Sequence, residues 1–154
     1  MKTIQEWLSE YAVSHQNPTN KKVHFVCVPV IFFTVVGLFY SIPLGTPNTL
    51  TEGLVAKLLL VAVTVYYLSM SKSLAAGMLL YGLLCLWACH LIMQYVPVHL
   101  ALVSFSLFVL AWIAQFWGHK VEGAKPSFLK DLQFLMIGPA WIMSFIYKKL
   151  GLSL

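Results

Sequence analysis

Arginine is missing from this chain and acid is scarce: one aspartate and four glutamates stand against ten lysines in 154 residues. Charged residues make up only 10% and hydrophobic ones 60%, whereas a soluble domain holds about 25% charged and about 45–50% apolar residues. That balance excludes an ordinary soluble domain and predicts one membrane-embedded domain over residues 1–154. The formal net charge of +5 is carried by lysine alone. In a soluble protein it would raise nucleic acid as a partner. Here the lysines fall between apolar runs, so they report membrane topology, and no nucleic-acid partner is expected. Cysteine is rare too. Cys27, Cys85 and Cys89 all sit within apolar stretches and form no zinc or disulfide framework; Cys85 and Cys89 share a helix face as small packing residues. No signal peptide is expected, because Met1 to Tyr11 contains Glu6 and Glu10 and lacks a continuous apolar run.

What the chain does have is long hydrocarbon. Ile4, Trp7, Leu8 and Tyr11 recur at helical spacing, with Glu6 and Glu10 off the stripe. This predicts a short amphipathic helix at the membrane interface, with Trp7 and Tyr11 at headgroup level. Asn17-Pro18 ends it. Spans are expected at Val23 to Ile42, Leu54 to Met70, Leu74 to Tyr95 and Val98 to Phe116, each approaching the roughly 20 residues that cross the hydrocarbon core. All should be helical, because hydrocarbon offers no partner to an unpaired backbone group. Pro29 predicts a kink in the first. Leu132 to Tyr147, interrupted by Gly138-Pro139, reads as a kinked fifth helix or, by preference, as a helical hairpin that dips in and returns. The expected fold is an all-α integral membrane helical bundle: four transmembrane helices, a short interfacial N-terminal helix and a C-terminal kinked or re-entrant apolar segment.

Polar chemistry gathers at the edges of this hydrocarbon, in two motifs. The first is His15-Gln-Asn-Pro-Thr-Asn20-Lys-Lys-Val-His24 and the second Gln115-Phe-Trp-Gly-His119-Lys-Val-Glu122. The first precedes span one. An even number of crossings returns the chain to the same side at His119, so the two motifs face one surface. Lys2, Lys21, Lys22, Lys72, Lys120, Lys125 and Lys130 share that side, and Lys57 stands alone on the other. The positive-inside rule makes the lysine-rich side cytoplasmic. Lys148 and Lys149 favour the hairpin reading, which returns them to that side. His90 and His99 fall toward the opposite face and read as interfacial histidines.

Neutral imidazole is the commonest metal ligand among side chains. His15, His24 and His119, with Glu122 as a fourth ligand or a general base, suit non-haem iron(II) or zinc, and spacing alone does not choose between them. Asn17 and Asn20 can cap the helix start or orient an imidazole. Gln115, one helical turn before His119, can hold that ring or face a substrate. The competing readings are a zinc-dependent membrane hydrolase with Glu122 as base, a small non-enzymatic transporter with the histidines as a proton relay, and haem binding. Few polar groups line spans one, two and four, which counts against the relay, and histidines outside the spans or near their ends suit a buried haem poorly.

Tyr11-x3-His15-x-Asn17-x2-Asn20-x3-His24, followed by Val28-Pro29, resembles the opening motif of a membrane 2-hydroxy fatty acid dioxygenase family. Trp112-x2-Gln115-Phe116-x-Gly118-His119-x2-Glu122-Gly123-x2-Pro126 resembles its second motif. The resemblance covers essentially the whole chain. It implies an Fe(2+)-dependent α-oxidation in which a 2-hydroxy fatty acid and dioxygen give a fatty acid one carbon shorter, with His15, His24 and His119 as iron ligands. Lys120, Lys125 and Ser127 depart from the family's usual residues. Lys125 would meet the substrate carboxylate as a point charge where the family usually has an arginine fork. The expected setting is multi-pass, in the inner membrane of a bacterium or the endoplasmic reticulum of a eukaryote.

Overall fold

A computed structural model describes residues 2–123 and 128–154, with side chains for all of these except 128–133. Lys125, expected near the substrate head, lies outside the described residues. Regular structure among the described residues is entirely helical: α1 (Ile4–Val13), α2 (Pro18–Tyr40), α3 (Leu54–Leu68), α4 (Lys72–Tyr95), α5 (Leu100–Glu122) and α6 (Phe128–Leu150).

Local chemistry explains the helix starts. Thr3 and Glu6 form a reciprocal capping box on α1, the Glu6 N–H donating to Thr3 Oγ1 and the Thr3 N–H to Glu6 Oε2. Asn17 caps α2 by accepting from the Thr19 N–H at 2.8 Å, and Pro18 follows at the first turn, where its missing N–H costs nothing. The helix therefore begins five residues before the apolar run does. Ser71 caps α4 in the same way, through the Leu74 N–H. α2 continues through Pro29 as one helix; the proline carbonyl accepts from Tyr81 Oη at 2.9 Å, which ties α4 to it.

Of the four expected spans, three are long and apolar enough to cross a membrane: α2, α4 and α5, of 23, 24 and 23 residues. α3 has 15 and falls short of the roughly 20 that a span needs. α2 is the central helix. It runs antiparallel to α5: Gly118 faces Asn20 and Val23 at one end, Ala111 packs with Cys27 and Ile31 in the middle, and Gly37 faces Ser104 at the other end. This is the most extensive helix pairing in the molecule, and small residues at both ends let the backbones close up. α3 and α4 form an antiparallel hairpin, with Leu60 against Gly82.

One expectation needs correction. The C-terminal apolar stretch is one helix of 23 residues with Pro139 inside it, not a hairpin. It lies across the end of the bundle where α2 begins. The Met136 carbonyl accepts from Tyr67 Oη, Gly138 approaches Tyr11 and Val28, and Tyr147 Oη donates to the Ser73 carbonyl at the start of α4. Ile137, Ala140 and Trp141 are buried there, and their packing overrides the helix-breaking tendency of Gly138-Pro139. α6 also covers α1, so Tyr11 is buried beneath it.

Candidate metal centre

His15 lies in the turn between α1 and α2, His24 two turns into α2, and His119 in the last turn of α5. The antiparallel α2–α5 packing brings the latter two level, and the Asn17-Pro18 turn folds His15 over them. A nitrogen from each of the three lies within 4.8 Å of the others. Ring centroids are 4.3 Å apart for His15 and His24, 4.9 Å for His24 and His119, and 5.3 Å for His15 and His119. His15 and His24 are buried, and His119 is half-buried.

Two of the rings are oriented by backbone. His15 Nδ1 is 2.7 Å from the Tyr11 carbonyl and His24 Nδ1 3.0 Å from the Asn20 carbonyl. A carbonyl only accepts, so each Nδ1 carries the proton and each Nε2 keeps its lone pair. This is the arrangement that a metal-binding imidazole needs. His15 Nε2 is fully buried without a hydrogen-bond partner. A buried polar atom left so is costly unless a ligand satisfies it. Burial pushes the His15 pKa below its ordinary range; the hydrogen bond to Tyr11 opposes the shift and the neighbouring His119 adds to it. The ring is therefore neutral at ordinary pH, and its Nε2 lone pair is not taken up by a proton. The three-imidazole donor set fits a divalent transition metal such as iron or zinc.

Tyr11 stacks on His15 at 4.1 Å with 10° between the rings, and Trp141 of α6 leans on it at 5.5 Å. Trp141 continues into Phe145 at 4.8 Å and Phe25 at 5.7 Å. These rings make an aromatic wall that leads from the histidines to the outer face of α2 and α6, where Phe25 and Phe145 are exposed. The sequence reading missed this wall. Phe25, Trp141 and Phe145 stand in apolar stretches where an aromatic carries no distinguishing signal.

Glu122 sits beside the trio and is already engaged. Oε1 accepts from the backbone N–H of Gln16 at 2.8 Å; Oε2 accepts from the Asn17 N–H at 2.9 Å and from Asn20 Nδ2 at 3.0 Å. The carboxylate clamps the α1–α2 turn to the end of α5. Asn20 is wholly buried and also donates to the Ser14 carbonyl at 3.3 Å. Its Oδ1 lies against Gly118, where a Cβ would come within 2.6 Å; only glycine admits this approach. Asn17 caps α2 and gives its N–H to Glu122. Gln115 is buried one turn before His119. The expected site residues among the described ones are thus gathered at one end of the bundle; Lys125 lies outside the described residues. His90 stands at the far end of the bundle, bonded to Glu52, and His99 caps α5 at that same end.

The model of the Mpo1-like family, described as 2-hydroxy-palmitic acid dioxygenase Mpo1-like, matches residues 1–150. The chain belongs to this family. It is 30% identical over 152 residues to the 2-hydroxy-palmitic acid dioxygenase MPO1 of Saccharomyces cerevisiae, a match that covers 96% of this chain and 82% of the yeast protein. No solved structure matches it. The match includes both histidine motifs and α6, so the family's common region is the whole bundle.

Proposed function

We propose that this member of the Mpo1-like family is an iron(II)-dependent dioxygenase that removes one carbon from a 2-hydroxy fatty acid, working at the cytoplasmic face of a membrane. The observation that carries it is the buried trio of His15, His24 and His119, with Nδ1 of two rings tied to carbonyls. In overall balance, R–CH(OH)–COOH and O2 give R–COOH, CO2 and H2O. Carbon 2 of the substrate is oxidised to the new carboxyl, the old carboxyl leaves as CO2, and dioxygen is reduced.

His15, His24 and His119 would hold the iron, which supplies dioxygen activation when bound. The chain's own residues do the rest. Tyr11 and Trp141 fix the His15 ring and keep water from it. The Tyr11 and Asn20 carbonyls fix the protonated nitrogen of two ligands. The acyl chain runs along Phe25, Trp141 and Phe145 toward lipid. Gln115 faces the head of the substrate, and Lys21, Lys22 and Lys125 draw in its carboxylate by their field. Glu122 is a positioning residue that sets the α1–α2 turn. A zinc hydrolase would need Glu122 as base, and both its oxygens are taken up by the turn and Asn20, which weighs against that reading.

The test is anaerobic purification with metal analysis, then aerobic incubation with 2-hydroxypalmitate and mass spectrometry. Iron close to one per chain and an acid one carbon shorter are expected. His119→Ala should lose both; a variant that keeps iron and turnover overturns the proposal, and zinc with hydrolytic activity replaces it.

A further inference from the structure

Among the described residues, two electron-rich rings touch His15, and they are differently placed. Tyr11 lies flat on the imidazole, at 4.1 Å with 10° between the planes. Phe134 meets it edge-on at 5.2 Å, and Trp141 stands against it at 5.3 Å. The phenol is boxed in between α1 and α6. Trp141 leans on the same imidazole at 5.5 Å and 43°. Beyond it come Phe145 at 4.8 Å and Phe25 at 5.7 Å, both exposed on the outer face. Along this wall, Trp141 is the one electron-rich ring between the histidines and lipid, and it is buried.

These rings differ in what they can give. Indole is the most electron-rich of the protein aromatics and takes oxygen at a ring carbon without first losing a proton. Phenol is oxidised together with loss of its proton, and the benzene rings of Phe25 and Phe145 resist. On the proposed reading, the acyl chain lies along Trp141 and the substrate supplies the electrons that reduce dioxygen. A bound substrate therefore covers the indole and feeds the reaction. When it is missing, both protections are lost at once.

We infer that Trp141 is a self-oxidation site. With iron in the histidine centre, no substrate bound and a small enediol reductant such as ascorbate present, its indole becomes a hydroxyindole. One Trp–H, one O2, two electrons and two protons give one Trp–OH and one H2O. A ring C–H bond is replaced by C–O, the O–O bond breaks, and the second oxygen leaves as water. Ascorbate supplies both electrons and both protons and ends as dehydroascorbate. Trp141 thereby takes an oxidation that would otherwise fall on the imidazole ligands. The inference rests on the iron-centre reading. Half-buried Met70 packs against the same cluster and reports an oxidant that merely diffuses in, since its thioether is readily oxidised.

Peptide mass spectrometry of the full chain tests it. Protein loaded anaerobically with iron(II) is exposed to labelled dioxygen and ascorbate, with and without 2-hydroxypalmitate. Zinc-loaded protein, whose metal has no redox chemistry, is the control. The peptide holding Trp141 should gain one labelled oxygen atom with iron and none with zinc. Substrate at roughly ten times its Kd should lower that gain about tenfold, in proportion to the unoccupied fraction. Trp141→Phe, which keeps an apolar ring beside His15, should shift the oxygen to His15, His24 or His119. Oxygen on Tyr11 or Met70 in place of Trp141, equal gain with zinc, no effect of substrate, or unaltered ligands in Trp141→Phe would overturn the inference. A wild type that shortens 2-hydroxypalmitate and leaves Trp141 unmodified overturns the inference alone. One that holds no iron and shortens nothing overturns the reading beneath it as well.

Discussion

At Glu122, loss of charge and loss of a base leave different signatures. Glu122→Gln keeps the size of the side chain but presents a neutral amide to the N–H groups of Gln16 and Asn17. As a clamp it should cost about 1–3 kcal/mol of stability and lower metal content, with turnover per bound metal near wild type. A catalytic base would show the reverse: full metal and lost turnover. Metal analysis beside thermal denaturation separates the two. Gly118→Ala acts on the same turn from below. Its methyl would meet Asn20 Oδ1 at 2.6 Å, and Asn20 is held from two sides by Ser14 and Glu122, so it cannot yield. A loss of about 1–3 kcal/mol is expected, read as a lower melting temperature. At this scale the histidines were legible as two polar motifs flanking apolar runs, and it is the antiparallel α2–α5 packing that brings His15, His24 and His119 together, whereas the count of four spans is not what the helix lengths bear out. The engagement of Glu122 was not legible. His-x-x-Glu puts the carboxylate near the ring, but its partners are backbone N–H groups of a turn, which no side-chain pattern encodes. Tyr11 was legible as a member of an amphipathic stripe and of the first motif, but not as the ring that stacks on His15.

Among elements, the α2–α5 pair decides whether two ligands stay level. Gly37 and Ser104 seal its far end, where a Cβ on Gly37 would fall on Ser104 Oγ. Gly37→Val should therefore splay the pair, destabilise the protein by a few kcal/mol at most, and reduce metal binding at the other end. Metal affinity that holds while stability falls would show the two ends to be uncoupled. Gly37→Ala combined with Ser104→Ala relieves part of the clash and should recover part of the stability. The long apolar runs made α2, α4 and α5 plain in the sequence. The start of α2 was not, because Asn17 and Pro18 begin the helix by capping, ahead of its hydrophobic run. α6 was misjudged for a related reason: Gly138-Pro139 reads as a break when the chain is taken alone, and only the buried contacts of Ile137, Ala140 and Trp141 with α1, α2 and α3 show why the helix continues.

For the whole molecule, the contacts of α6 imply that both its ends lie at the histidine side. Cysteine labelling with a membrane-impermeant maleimide checks this. Lys72→Cys and Lys149→Cys should react from the same face of sealed vesicles and Leu50→Cys from the other, with the cytoplasmic face expected for the first two. The native Cys27, Cys85 and Cys89 are buried and should stay silent. Reaction of position 149 from the Leu50 side would make α6 a span.

The three histidines come from a turn and two helices that meet at one end, while Glu52 ties the other end to Tyr40, His90 and the Asn48 N–H, through side chains and backbone alone. A bound ion would thus act as a removable staple on half of the protein. Under metal starvation the far half keeps its knot, and the near half is left with the Glu122 clamp and the packing of α1 on α6. α1, whose helix-to-helix packing is on α6, is then the first segment offered to a protease. The lifetime of the protein in a cell would follow its metal supply, with no separate sensor needed to mark the empty copies for removal.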